Sequence, residues 1–238
     1  MDNVLTSQSI LSGILAGNDT LARWTGEEWV CDRGSVEYLL VSGVADRFLA
    51  GMPGWHVWPE IEAGDDFNYV GTNYRKHVND CPPRYVFGGV RYDLGLLRSP
   101  RTISGLVEIK RYWTTEDLTK LARALFYLGI KPPRVQNGVK EGVLLESVFF
   151  GAFIWHEPSG AYANEPLEAQ HHKIKTEIDT WWQGATAGGG DPIQTKFQTV
   201  CGVCPQPKIS FTSKTGTGSK GQREAGAVCV CLSLDEDR

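Results

Sequence analysis

Cysteine and methionine are scarce in this chain, at 6 and 2 of 238 residues. Six cysteines over that length fall far below the density of a small secreted domain stapled by disulfides. A long apolar run is also missing. The longest, from about Val143 to Trp155, contains Glu146 and falls short of the ~20 residues that a membrane span needs. No basic segment followed by an apolar stretch opens the sequence, so nothing there reads as a secretory leader. Walker-type loops, dinucleotide fingerprints and nucleophile elbows are absent too, which removes the common nucleotide-binding and serine-hydrolase readings. What is present is an ordinary globular composition, 41% hydrophobic and 22% charged, which excludes a disordered or low-complexity chain. A chain of this size can bury a core without staples. The expectation is one soluble, cytoplasmic domain over residues 1–238, without membrane attachment.

The net charge of −4 hides a strong asymmetry. Residues 1–74 carry 3 basic and 11 acidic side chains, residues 75–140 carry 13 and 5, and residues 141–238 carry 8 and 12. The local charges are therefore −8, +8 and −4. A +8 segment inside an acidic chain points to a polyanion-binding surface, with solvated or internally paired arginines as the bland alternative.

Periodicity outlines a mixed α/β domain. Leu5, Ile10, Leu11, Ile14 and Leu15 hint at a short first helix. Asp32 to Ser35 can cap a helix running to about Ala50, with Val36, Leu39, Leu40, Val44, Phe48 and Leu49 on its stripe. Trp55 to Ile61 reads as a strand, residues 62–83 as a loop or insertion, Arg84 to Arg98 and Ile103 to Tyr112 as further strands. Gly88-Gly89 is a candidate bulge. Thr114 or Thr115 starts a helix with Glu116 and Asp117 in its first turn. The run from Val143 to Trp155 suits a central strand buried on both faces. Asn164 is placed to cap a helix through Trp182. Thr195–Val200, Lys208–Thr212 and Val228–Leu232 read as strands, and residues 213–226 as a flexible loop. The core spans about residues 35–155, and residues 156–238 form a C-terminal extension.

The segment from Arg91 to Lys110 carries the chemistry. Pro100 suits the second position of a turn over Ser99 to Thr102. In a hairpin closed by that turn, Asp93 stands across from Glu108 and Arg91 across from Lys110. With a side-chain period of 2, Asp93, Glu108 and Lys110 share one face. Tyr92, Leu94, Leu96, Val107 and Ile109 then share the other, which looks like core. Two facing carboxylates repel and need a cation between them. Lys110 is one candidate. A hard divalent ion such as Mg²⁺, which favours a few carboxylate oxygens and keeps its waters, is the better one.

Asp93, fourteen intervening residues, and Glu108-Ile109-Lys110 resemble the signature of the PD-(D/E)xK nuclease superfamily, the restriction-endonuclease-like fold. The order helix, strands, helix, strand resembles that family's αβββαβ core. No proline precedes Asp93, a departure from the pattern. The resemblance implies a nuclease that depends on Mg²⁺, with Mn²⁺ able to substitute, and that hydrolyses phosphodiester bonds, in DNA rather than RNA. It implies Asp93 and Glu108 as metal ligands, the Ile109 carbonyl as a further ligand, and Lys110 acting on the water or the phosphate. It also implies a glutamate on the first core helix, here Glu37, completing the metal shell. A defence effector gated by a homo-oligomer or a regulatory partner is the setting that fits a cutter with no separate sequence-reading domain.

Three other readings compete. The hairpin charges can form a plain salt-bridge ladder on an exposed sheet face. The domain can bind nucleic acid or protein without cutting it. Cys201, Cys204, Cys229 and Cys231 can form a zinc site, against the expectation of four reduced cysteines in a small sheet. Arg91, Arg111, Lys120 and Arg123 are candidate phosphate contacts, with solvated charge as the alternative. Trp113 can stack on a base or simply pack. His171-His172 reads as structural.

Overall fold

A computed structural model describes residues 1–26, 30, 36–62, 91–100, 102–116, 118, 121, 134–136, 139–158, 163–187, 197–202, 209–214 and 220–234. These residues build three helices, α1 (Asn3–Thr25), α2 (Glu37–Gly51) and α3 (Leu167–Ala187). Eight strands join one mixed sheet: β1 (His56–Glu62), β2 (Arg91–Ser99), β3 (Thr102–Lys110), β4 (Arg134–Gln136), β5 (Val139–His156), β6 (Phe197–Gly202), β7 (Ile209–Lys214) and β8 (Lys220–Leu234). The spatial order is β1-β2-β3-β5-β8-β6, with β4 on β5 and β7 on β8. Among the described strands, β3 and β5 are the one hydrogen-bonded pair that runs parallel. A parallel pair needs a crossover. The segment between them includes helical Glu116, Leu118 and Leu121, and both leucines are buried on the α3 side of the sheet.

Helices cover both faces of the sheet. Leu94, Leu96, Val107, Ile109, Phe149 and Phe153 pack toward α1 and α2, while Leu106, Val148, Phe150, Ala152 and Ile154 pack toward Leu167, Ile174 and Ile178 of α3. The continuous apolar run of β5 is thus explained: alternate side chains enter two different cores. No helix among the described residues is long and apolar enough to cross a membrane.

Several elements differ from their sequence outline. The first helix is 23 residues long rather than short. Asp2 caps it by accepting from the amides of Val4 and Leu5, and Gly26 ends it at φ 90°. Its interior glycines look like helix breakers but serve as contact points. A Cβ on Gly17 would come within 2.8 Å of the Leu40 Cα, and Gly13 and Gly43 meet backbone just as closely. Helix α2 begins after Val36 with no side-chain cap; Asp32 to Ser35 lie outside the described residues. Asn164 caps no helix. It clasps the end of β5 instead, with Oδ1 accepting from the Glu157 amide (2.7 Å) and Nδ2 donating to the Trp155 carbonyl (2.9 Å). Residues 213–214 and 220–226, read from composition as a flexible loop, belong to β7 and β8. Strand β8 is hydrogen-bonded between β5 and β6, so the C-terminal region contributes to the same sheet. The expected loop at 62–83 and the expected bulge at Gly88-Gly89 fall outside the described residues, except for Glu62, which ends β1.

Candidate functional site

The β2–β3 hairpin sets the geometry. Leu94 pairs with Val107, Gly95 with Leu106 and Leu96 with Gly105, the register that the turn at Ser99–Thr102 implies. Nearer the turn the ladder slips twice. Leu97 pairs with Ile103, which leaves Ser104 extra in β3, and Ser99 pairs with Thr102, which leaves Arg98 extra in β2. The two offsets cancel, so the far end keeps the register of an unbroken hairpin.

Beyond Leu94 and Val107 the ladder stops, and β2 goes on to pair only with β1. Asp93 stands at this fork. Its Oδ2 accepts a hydrogen bond from the Ile109 amide at 2.6 Å, taking the place of the strand carbonyl that has moved away. Two residues on, where β3 ends, the Arg111 amide donates to Oε1 of Glu37 at 3.0 Å. Alternate amides of one strand point the same way. Asp93 and Glu37 therefore line the vacated edge of β3, although they come from a strand and from the first turn of α2. Between those two amides lies Lys110, whose Nζ meets Oε1 of Glu108 at 2.6 Å.

Tyr92 departs from the simple alternation. It is buried, but in the core on the α3 side with Ile61, not with Leu94 and Leu96. Its partner strand is distorted at that point: Glu60, opposite Asp93 in the register, has φ 50°, a left-handed conformation costly for a residue with a Cβ.

Electrostatics reflect three carboxylates gathered around one ammonium. Glu108 is 4% exposed. The Asp93 carboxyl is pushed up to about 6, first by burial and next by the charge of Glu108, with Glu37 adding to it; the Ile109 amide and Lys110 pull the other way. Burial alone would lower the Lys110 ammonium, but the hydrogen bond and charge of Glu108, together with Asp93 and Glu37, hold it above its ordinary value. The donor set is oxygen only, and its charge excess is negative, which suits a hard divalent cation. As they stand, the carboxylates are engaged by Lys110 and by the two amides, and no three His, Cys, Asp or Glu among the described residues form a metal cage.

The remaining candidates are scattered. Arg91 is exposed at the outer end of β2. Arg111 is half-buried, with its guanidinium 5.3 Å from the Tyr112 ring centroid. Lys120, Arg123 and Cys204 lie outside the described residues. Ile109 contributes its amide, to Asp93. Cys229 and Cys231 are buried in the core against α1 and α2, and Cys201 pairs in register with Val230 between them. Sequence reasoning missed the pocket beside the site, where α3 brings Gln170, Lys173 and Glu177 to Tyr112 and Trp113. Only the aromatic pair at the end of β3 signals it in the linear sequence.

A scan against protein-family models, a search of curated proteins and a search of solved structures each returned no match to this chain.

Proposed function

We propose that this chain is a divalent-metal-dependent nuclease on a restriction-endonuclease-like scaffold. The observation that carries the reading is the convergence of Asp93, Glu108, Lys110 and Glu37 at the fork between β2 and β3. The succession α2, β1, β2, β3, a helical crossover and a parallel β5 supports the αβββαβ reading of the core.

Asp93 and Glu108, with Glu37 behind them, would hold Mg²⁺ or Mn²⁺, and the Ile109 carbonyl would serve as a further ligand. A bound divalent ion supplies a water acidified enough to attack phosphorus and positive charge for the phosphate oxygens. The chain's own residues do the rest. Lys110 leaves its partner Glu108, orients the attacking water and neutralises charge on the phosphate. Asp93 keeps Ile109 and so the Glu108–Lys110 strand in position. Arg91 and Arg111 contact flanking phosphates, as do Lys120 and Arg123. The substrate is DNA, the setting is the cytoplasm, and a partner or self-assembly gates a cutter of this kind in defence.

A second reading is favoured by one observation: every carboxylate of the cluster already has a partner within the protein. On that reading the domain binds nucleic acid or protein without cutting. Incubation of purified protein with plasmid DNA and with a single-stranded DNA oligonucleotide decides between them. Degradation with Mg²⁺ that stops in EDTA, and that Lys110→Ala abolishes while metal binding persists, supports the nuclease. Binding with no cleavage in Mg²⁺ or Mn²⁺, unchanged by Asp93→Ala, Glu108→Ala or Lys110→Ala, establishes the binder.

A further inference from the structure

Past Lys110 the chain continues into Arg111, Tyr112 and Trp113, and the last two line a pocket of about 480 Å³. Its other walls include Trp155 at the end of β5 and Gln170, Lys173 and Glu177 of α3. This volume lies within the range of small-molecule sites and has room for one base with its sugar.

The pocket is built rather than left over. Trp113 is held on two sides: its ring meets Phe150 edge-on at 5.3 Å, and its Nε1 donates to Glu177 Oε2 at 2.7 Å. Phe150 pairs with Glu108 in the β3–β5 register, so Trp113 packs on the sheet face that Glu108 occupies. Tyr112 is 54% exposed at the mouth. From Lys110 to Tyr112 is two residues, at most about 7 Å of chain. Polar groups point to more than a greasy slot. Gln170 Nε2 is tied to the carbonyls of Trp155 and Glu165 at 2.7 and 2.5 Å, which orients Oε1 as an acceptor. Lys173 adds a donor and Glu177 a second carboxylate oxygen.

We propose that this pocket receives one unpaired nucleobase of the strand whose phosphate lies at Lys110, which makes the substrate single-stranded or locally opened nucleic acid rather than intact duplex. The placement of the phosphate rests on the nuclease reading above. A base within a duplex has both faces stacked on neighbours and cannot present itself to a wall of aromatic rings without first being unstacked. Aromatic walls accept any base by stacking, so the pocket selects strandedness before sequence.

The test separates this inference from cleavage. Anisotropy of a labelled single-stranded DNA oligonucleotide, its RNA equivalent and the matching duplex is measured with full-length protein in EDTA at fixed salt. The single strand is expected to bind more tightly than the duplex. Tyr112→Ala, at an exposed position that the fold tolerates, lowers single-strand affinity about tenfold and leaves duplex affinity unchanged. An oligonucleotide of abasic residues binds wild type about as weakly as the intact one binds Tyr112→Ala. Lys173→Gln gives a smaller loss in the same direction. Equal affinity for both forms, or a Tyr112→Ala loss that persists on the abasic strand, overturns the pocket even if plasmid is cut. Single-strand preference that depends on Tyr112, in a protein that never cuts with Mg²⁺ or Mn²⁺, upholds the pocket and defeats the nuclease. No binding to any of the three overturns the pocket.

Discussion

Against α1 and α2 the molecule packs backbone on backbone, whereas the face toward α3 keeps an open pocket and a buried cluster of charge. On the first side Gly13, Gly17 and Gly43 bring the two helices together, and Gly151 lets Ile10, Ile14 and Ile109 close over β5. On the second, Trp113, α3 and the end of β5 leave space between them. The contrast is one of division of labour. The tight side places the first turn of α2 so that Glu37 reaches the Arg111 amide, and a site held by a rigid neighbour keeps its geometry. The open side is where a ligand can enter.

The largest effect comes from breaking the tight side. Gly17→Val drives a side chain into Leu39 and Leu40 backbone that cannot move aside, and should cost at least about 3 kcal/mol in urea unfolding, beyond ordinary overpacking. Stability within about 0.5 kcal/mol of wild type would show that the helices can part at little cost. On the open side, Lys110→Arg keeps a positive charge beside buried Glu108 but misplaces it, and should lower cleavage by about 100-fold or more while thermal stability changes little. A matching collapse of the melting temperature would mark Lys110 as structural instead.

Asp93 links the two sides through pH. Its folded value, raised from 3.8 to about 6, means that its contribution to stability is present in full below 3.8 and is lost as pH rises through about 6. Asp93→Asn removes that loss. It should therefore be more stable than wild type at pH 8 by about 3 kcal/mol, with the advantage vanishing below pH 4. A destabilised Asp93→Asn at pH 8 would show that the charged bond to Ile109 outweighs burial. The smallest effect is expected at Glu37. Glu37→Gln still offers an oxygen to the Arg111 amide, so stability should stay within about 0.5 kcal/mol. Mg²⁺ affinity measured by calorimetry should weaken, and an unchanged affinity would remove Glu37 from the metal shell.

Local pattern determined a good part of this protein. The alternation along Leu94, Leu96, Val107 and Ile109, together with the Ser99–Thr102 turn, was enough to set the register at Leu94–Val107, but the ladder ends there, so the expected Asp93–Glu108 and Arg91–Lys110 cross-strand pairs do not form. The unbroken apolar run around Phe149 and Phe153 required a strand covered on both faces, and the stripe of α2 required a helix. Tertiary structure decided the rest. The stripe from Leu5 to Leu15 indicated only a short helix; α1 runs on to Thr25, and α2 lies directly against its Gly13 and Gly17. Residues 220–226 read as loop until β5 and β7 pair with them on either side. The fork at Asp93 has no signature in the alternation, because the side-chain pattern is the same whether or not a ladder continues. The bonds from Ile109 to Asp93, from Arg111 to Glu37 and from Trp113 to Glu177 join residues 16, 74 and 64 positions apart. Periodicity reports that a face is covered; which element covers it, and which amide it leaves for a carboxylate, is settled only when the layers dock.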